Sequence, residues 1–298
     1  MRKVIGIGET ILDILFRDGQ PQAAVPGGSV YNAVISLGRM GQNVTFISET
    51  GNDRVGEMIL ANMRENGVDT ANVNVFPEGK SPVSLAFLNE RNDAEYIFYK
   101  DYPRQRLEVN MPEISSDDII MIGSYFAITP VLRDKVKELL DRAHDAGAII
   151  YYDVNFRSTH ANEAIKLMPT IIENFEYADI LRGSTEDFQN MFRQPDADKV
   201  YSNHVAFYCP TFVRLRTKHV CKDYPVTPLK AVSTIGAGDN FNAGVVYGLL
   251  KYRVRRADLA ELTEADWDAI IRCGMDFSAD VCKSVSNSVS KDFAESYR

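Results

Sequence analysis

Ile119-Ile120-Met121-Ile122-Gly123 and, after a helix-forming stretch, Ala148-Ile149-Ile150-Tyr151-Tyr152-Asp153 are two apolar runs, the first ending at a glycine and the second at an acid. Between them Pro130–Ala146 reads as a helix. Glu163–Phe175 reads as the next helix and Ala178–Leu181 as a third strand. Strand and helix in strict alternation imply a doubly wound, mostly parallel sheet with helices on both faces, and ligands of such a sheet bind beyond the carboxyl ends of its strands. Polar groups stand at those ends: Gly123-Ser124, then Asp153-Val154-Asn155-Phe156-Arg157, then Arg182-Gly183-Ser184-Thr185-Glu186-Asp187.

Working toward the N-terminus, Lys3–Gly8 reads as a buried strand. A dinucleotide fingerprint would need glycine at position 11, where Ile11 stands. Asp13 is the one acid in the apolar stretch 10–16, either an exposed strand residue or a group with a task. Pro26-Gly27-Gly28-Ser29 opens a helical pattern (Val30, Ala33, Val34, Leu37, Met40) that places Asn32 one turn in. Val44–Glu49 and Val73–Phe76 read as strands around a helix over Val55–Asn66. Gly79-Lys80-Ser81 ends like a Walker A motif but lacks its first glycine and a following helix. Val83–Asn89 and Tyr96–Lys100 flank the turn-rich Glu90–Asp93 as a hairpin, and with 11–25 they supply strands for a small accessory sheet.

Toward the C-terminus, His204–Tyr208 reads as a strand, Phe212–Arg216 with Val220–Tyr224 as a hairpin, Ala265–Cys282 as an amphipathic helix, and 284–298 as a polar tail. The stretch Ser233-Thr234-Ile235-Gly236-Ala237-Gly238-Asp239-Asn240-Phe241-Asn242 runs from a glycine-rich turn into a helix expected over Asp239–Leu250. Exposed backbone N–H groups and the positive end of a helix make such a turn an anion site. A carboxylate there would repel a phosphate unless it took a proton, so Asp239 is either a general base or merely the helix N-cap.

The 298 residues, 45% hydrophobic, suffice for one large α/β domain, and the net charge of −8 without a basic stripe argues against a nucleic-acid partner. The N-terminus lacks a signal-peptide pattern, and no window approaches a membrane span. Four cysteines without CxxC spacing and four scattered histidines support neither a disulfide nor a zinc framework, which points to the cytoplasm.

Thr234, Gly236, Ala237, Gly238, Asp239 and Phe241 resemble the C-terminal signature of the ribokinase-like (phosphofructokinase B) carbohydrate kinases, roughly Asp-Thr-x-Gly-Ala-Gly-Asp-x-Phe. Gly27-Gly28 with Asn32 four residues on is similar to the N-terminal signature, and Asp153-x-Asn155-x-Arg157 to a motif between the two. The fructokinase branch is the most similar. The resemblance implies a single kinase domain over 1–298, with lid strands from about 11–25 and 83–100. It implies transfer of the γ-phosphoryl group of ATP, with Mg2+, to a primary hydroxyl of a sugar, fructose or a similar ketose. Asp239 would be the base, and Gly236, Ala237 and Gly238 the anion hole. Asp13, Gly27, Gly28, Asn32, Tyr99 and Arg157 would bind substrate, with Lys100 a further candidate. Ser184, Asp187, Thr234, Gly236 and Gly238 would bind the nucleotide, with Asp187 or Glu186 near the metal.

Three departures stand out. Ser233 replaces the first Asp of the signature, which puts a monovalent cation in doubt. Ser184 and Asp187 replace Asn and Glu, and Cys209–Leu215 lacks the glycines of the nucleotide loop. Relatives acting on ribose, a nucleoside or a keto-deoxy acid, and a sugar-binding protein without phosphoryl transfer, are the alternatives. An exposed edge of the lid sheet would let a second copy pair there as a homodimer.

Overall fold

The computed structural model describes residues 2–89, 94–194, 205–208 (as backbone) and 212–298. The turn expected at Glu90–Asp93, His204 at the start of one expected strand, and Cys209-Pro210-Thr211 of the glycine-free segment lie outside them. In chain order the strands are β1 (Val4–Ile7), β2 (Ile11–Arg17), β3 (Gln20–Gly27), β4 (Val44–Gly51), β5 (Val68–Asp69), β6 (Val73–Phe76), β7 (Lys80–Leu88), β8 (Ala94–Asp101), β9 (Ile119–Gly123), β10 (Ile149–Asp153), β11 (Ile180–Ser184), β12 (Val205–Tyr208), β13 (Phe212–Arg216) and β14 (Cys221–Pro225). The helices are α1 (Ser29–Arg39), α2 (Arg54–Glu65), α3 (Arg133–Ala146), α4 (Ala164–Tyr177), α5 (Thr185–Phe192), α6 (Ala237–Lys251), α7 (Glu264–Val281) and α8 (Lys291–Tyr297).

The large sheet runs β14-β13-β12-β11-β10-β9-β1-β4-β5, with β6 also on β4, and only β13 and β14 are antiparallel to their neighbours. Consecutive residues of one strand feed opposite layers. Ile119 and Met121 pack with α1, α6 and α7, while Ile120 and Ile122 pack with α3, α4 and α5. That is why the strands read as continuous apolar runs: both faces are covered. The doubly wound architecture expected from the alternation is present. Strand order reverses about β1, so the ends of β1, β9, β10 and β11 frame the crevice where such sheets bind ligands.

A second sheet, β3-β2-β7-β8, stands apart from the first. One face carries buried Asp13, Leu15, Ser84 and Ala86; the other carries Ile14, Phe16, Leu85, Phe87, Ile97 and Tyr99, all partly or largely exposed. The tail differs from expectation. It folds as α8, whose Phe293 and Tyr297 pack on Phe277. Among the described residues no helix is long and apolar enough to cross a membrane.

Candidate active site

The turn before α6 is built around Gly236, whose φ of +78° suits glycine and whose carbonyl accepts the first helical hydrogen bond, from Asn240 N at 2.9 Å. The helix therefore starts at Ala237, two residues before the expected start, and Asp239 falls within its first turn. Gly236 is the N-cap residue, so the capping reading of Asp239 is excluded. The Asp239 carboxylate instead accepts from Ser29 Oγ at 2.9 Å and from Asn32 Nδ2 at 2.8 Å, both on α1. Burial pushes its pKa up, with the Asp153 charge adding and the Asn32 amide and Arg157 opposing. A buried carboxylate displaced in this direction is a better proton acceptor than a surface one.

The expected anion hole is altered in detail. Ala237 N donates to Thr234 O at 3.2 Å and so closes the turn, and Ser233 Oγ accepts from Ile235 N at 3.2 Å. The N–H groups of Gly238 and Asp239, ahead of the first helical bond, have no acceptor within the helix. Behind them stands a residue the sequence marked only as a polar strand end. Arg182, buried on β11, has Nη2 2.8 Å from where a Cβ on Gly238 would lie. It donates to Asp153 at 3.0 Å, and Asp153 is held in turn by Asn242 at 2.7 Å. Any side chain at 238 would displace this cation from the turn.

The start of α1 forms the other end of the site. Gly28 takes φ +130° as the N-cap residue of α1, and a Cβ on Gly27 would stand 2.5 Å from Asp13 Oδ2. Asp13 is buried and accepts from Ser84 Oγ and, at 3.3 Å, from Asn287 Nδ2. Burial lifts its pKa to about 6, against those two hydrogen bonds and with the charges of Asp239 and Glu9 adding. Asp13, Gly27, Gly28, Asn32 and Asp239 thus come together as expected.

Tyr99 does not join them. Register pairs Asp13 with Ser84 and Ser84 with Phe98, so strand alternation turns Tyr99 to the other face of the small sheet, where it is 58% exposed. Tyr96 is on the Asp13 face, stacked on Phe98, and its hydroxyl feels Asp13, Asp239 and Arg157. Arg157 is exposed and close enough to act on Asp239 and Tyr96. Lys100 pairs with Glu9 at 2.7 Å.

At the far end, Ser184 and Asp187 form the capping box of α5: Asp187 Oδ2 accepts from Ser184 N and Oγ, both at 2.7 Å. Their pairing thus has a local reason independent of any ligand. Glu186 is exposed, and Thr234 is exposed beside the turn. Among the described residues no group of three acids, histidines or cysteines could hold a metal unaided.

Comparison with known proteins places the chain. A pfkB family carbohydrate kinase model matches residues 1–292. The chain is 22% identical over 281 residues to a probable fructokinase-4 of Arabidopsis thaliana, covering 88% of this chain and 86% of that one. It is 26% identical over 262 residues to a fructokinase of Rhizobium leguminosarum bv. trifolii, with coverage of 83% and 79%. Among solved structures it resembles the fructokinase of Vibrio cholerae O395 in its fructose, ADP and calcium ion bound form, with a TM-score of 0.81 at 18% identity over 96% of this chain and 94% of that one. It also resembles a putative ribokinase II from E. coli, with a TM-score of 0.79 at 16% identity over 100% and 99% of the two chains. Ribokinase-like in fold and carrying both signatures of the family at one crevice, the chain belongs to the pfkB family of carbohydrate kinases.

Proposed function

We propose that the protein transfers the γ-phosphoryl group of ATP to a primary hydroxyl of a neutral sugar, fructose or a similar ketose, with Asp239 as general base. The observation that carries this reading is the Asp239 carboxylate: buried, freed from helix capping, and oriented by Ser29 and Asn32 at the mouth of an anion turn. As the sugar oxygen forms its bond to phosphorus and the bond to the ADP oxygen breaks, the hydroxyl proton passes to Asp239. Charge on the transferring oxygens faces Gly238 N–H, Asp239 N–H and the helix N-terminus, with Arg182 as a fixed cation behind them.

Asp13 in its ionised form accepts sugar hydroxyls, and the small sheet covers the site as a lid, excluding water. Asp187, whose carboxylate is shared with the capping box of α5, or exposed Glu186 would hold magnesium indirectly at the β11 end, where it would supply charge neutralisation. Preference for a neutral sugar over a keto-deoxy acid is supported by the Lys100–Glu9 pair, which engages one of the two cations, Lys100 and Arg157, that an acidic substrate could use. Preference for fructose is supported by the names of the relatives. A homodimer through the lid, proposed here on the outer face of its sheet, would cover Phe87, Ile97 and Tyr99.

The test is ADP release on a panel of hexoses, pentoses, nucleosides and keto-deoxy acids with ATP and magnesium. Turnover on a ketose is expected to fall about 10²-fold or more in Asp239→Asn, with sugar affinity nearly unchanged. Turnover of the variant at the wild-type rate would remove Asp239 from the chemistry; silence of the wild type while sugar still binds by calorimetry would overturn the kinase reading.

A further inference from the structure

The loop between α7 and α8 contributes a residue that touches both ends of the site. Asn287 is 1% exposed. Its main-chain carbonyl accepts from Asn240 Nδ2 at 2.8 Å, and the same amide reaches Gly236 O at 2.8 Å. The anion turn is packed directly on this backbone: a Cβ on Gly236 would stand 2.9 Å from Asn287 O. The side chain of Asn287 reaches the other way, with Nδ2 donating to Asp13 Oδ2 at 3.3 Å and lying 3.0 Å from where a Cβ on Gly27 would be. Next to it, Val289 N donates to Ser36 Oγ at 3.0 Å, and Ser36 also bonds Asn240. The loop is thereby tied to α1, to α6 and to β2 at once.

Beside the Asp13 carboxylate only the NH2 end of the amide can donate, since the reverse orientation would set two oxygens against each other. Asn287 Oδ1 is buried and makes no hydrogen bond among the described residues. A buried acceptor left without a donor is unfavourable. The one side-chain hydrogen bond of Asn287 among the described residues is the one its NH2 group gives to Asp13.

We propose that Asn287 is a positioning residue for phosphoryl transfer: its side-chain amide holds the Asp13 carboxylate, ionised, for the sugar, while its main chain holds the catalytic turn. One residue then sets the span between the sugar subsite and the phosphoryl subsite. The catalytic meaning of this span rests on the kinase reading above; the hold on Asp13 does not.

The groups facing Asp13 come from several elements. Ser84 on β7 and Asn287 donate to it, Asp239 on α6 and Glu9 after β1 repel it, and the Tyr96 hydroxyl on β8 interacts with it. Hydrogen bonds to the ionised form lower the pKa of an acid, so loss of the Asn287 donor raises that of Asp13. The acidic limb of kcat/KM for the sugar must then move to higher pH.

The experiment compares wild type with Asn287→Ala and Asn287→Asp. The aspartate variant keeps the shape of the side chain but replaces the donor with a second carboxylate. Sugar KM is expected to rise about tenfold in Asn287→Ala, and further in Asn287→Asp, with the KM for ATP within about twofold of wild type. The acidic limb is expected to shift upward in both. The Asp13 carboxyl titration, followed by 13C NMR with selective labelling, reads the hold on Asp13 without any turnover. An upward shift there supports the proposal even if no sugar is phosphorylated, in which case only the kinase reading fails. An unchanged Asp13 titration in both folded variants, or equal losses in sugar and ATP KM with an unmoved acidic limb, would overturn it.

Discussion

At the scale of single residues, the site is a set of buried charges balanced against one another. Arg182 and Asp153 form an ion pair with side chains 6% and 4% exposed, a costly arrangement unless something uses the fixed charge. In the proposed mechanism its position behind Gly238 gives that use. Arg182→Lys keeps the charge but loses the planar fork, and its kcat is expected to fall about tenfold. Arg182→Met is expected to lose about 10²-fold in kcat, as for removal of an oxyanion donor, and about 3–5 kcal/mol of stability because Asp153 stays behind unpaired. Steady-state kinetics with urea unfolding of both variants checks the split; equal kcat in all three proteins would remove Arg182 from the phosphoryl end.

Asp13 gives a pH prediction. An acid whose folded pKa exceeds its unfolded one binds more protons when folded, so its burial cost is absent below about pH 4 and complete above about pH 6. Asp13→Asn is therefore expected to be more stable than the ligand-free wild type at pH 7 by about 3 kcal/mol, with the advantage vanishing toward pH 4. On the proposed function, in which ionised Asp13 accepts sugar hydroxyls, sugar affinity should respond in the opposite sense. Thermal unfolding of both proteins across pH 4–8 reads the difference, and a constant gap would contradict the assignment.

At the scale of elements, α6, the helix that bears Asp239, lies close on α7. Gly244 faces the Cys273 carbonyl so tightly that a Cβ would collide with it, and Gly274 meets Phe241 in the same seam. Backbone cannot yield there as a side-chain tip can, so Gly244→Ala must push α6 outward. A loss of about 1–3 kcal/mol is expected, with a lower kcat because Asp239 rides on the same helix. Denaturant unfolding and kinetics on this one variant test both effects. Elements also mark the limit of pattern reading. The α8 helix was legible in principle, from Ser290 as N-cap residue and Phe293, Ala294 and Tyr297 at helical spacing. The polar stretch 284–290 just before it masked that signal. Tyr99 was misplaced for a related reason. The run Tyr96–Lys100 offers an aromatic on each face, and only strand pairing shows which face meets Asp13.

At the scale of the whole molecule, the small sheet turns Asp13, Leu15, Ser84 and Ala86 inward, with Phe98 on that face 45% exposed, and its other face is apolar and open to solvent. Phe16 and Phe87 stack on the open face with ring centroids 5.0 Å apart, beside Ile97 and Tyr99. An apolar sheet face of this kind is expected to be covered in solution by a second copy. Sedimentation or light scattering across a dilution series should give twice the 33.4 kDa chain mass, returning to one chain mass in Ile97→Glu. A single chain mass for wild type throughout would rule the dimer out.

The sequence by itself determined the layered architecture, since strands covered on both faces leave continuous apolar runs and helices between them leave a 3.6-residue period. It also determined the two glycine turns, because strong local motifs record backbone demands that only a few residue types meet, while it left Asp13 and Asp239 each with two readings. Tertiary structure alone decided that Asp239 is held by Ser29 and Asn32, that Arg182 stands behind the turn, and that Asn287 joins Asp13 to Gly236. These contacts link residues tens to hundreds of positions apart. No local period or turn chemistry encodes them, because they exist only once separate layers have packed and buried their polar groups against one another.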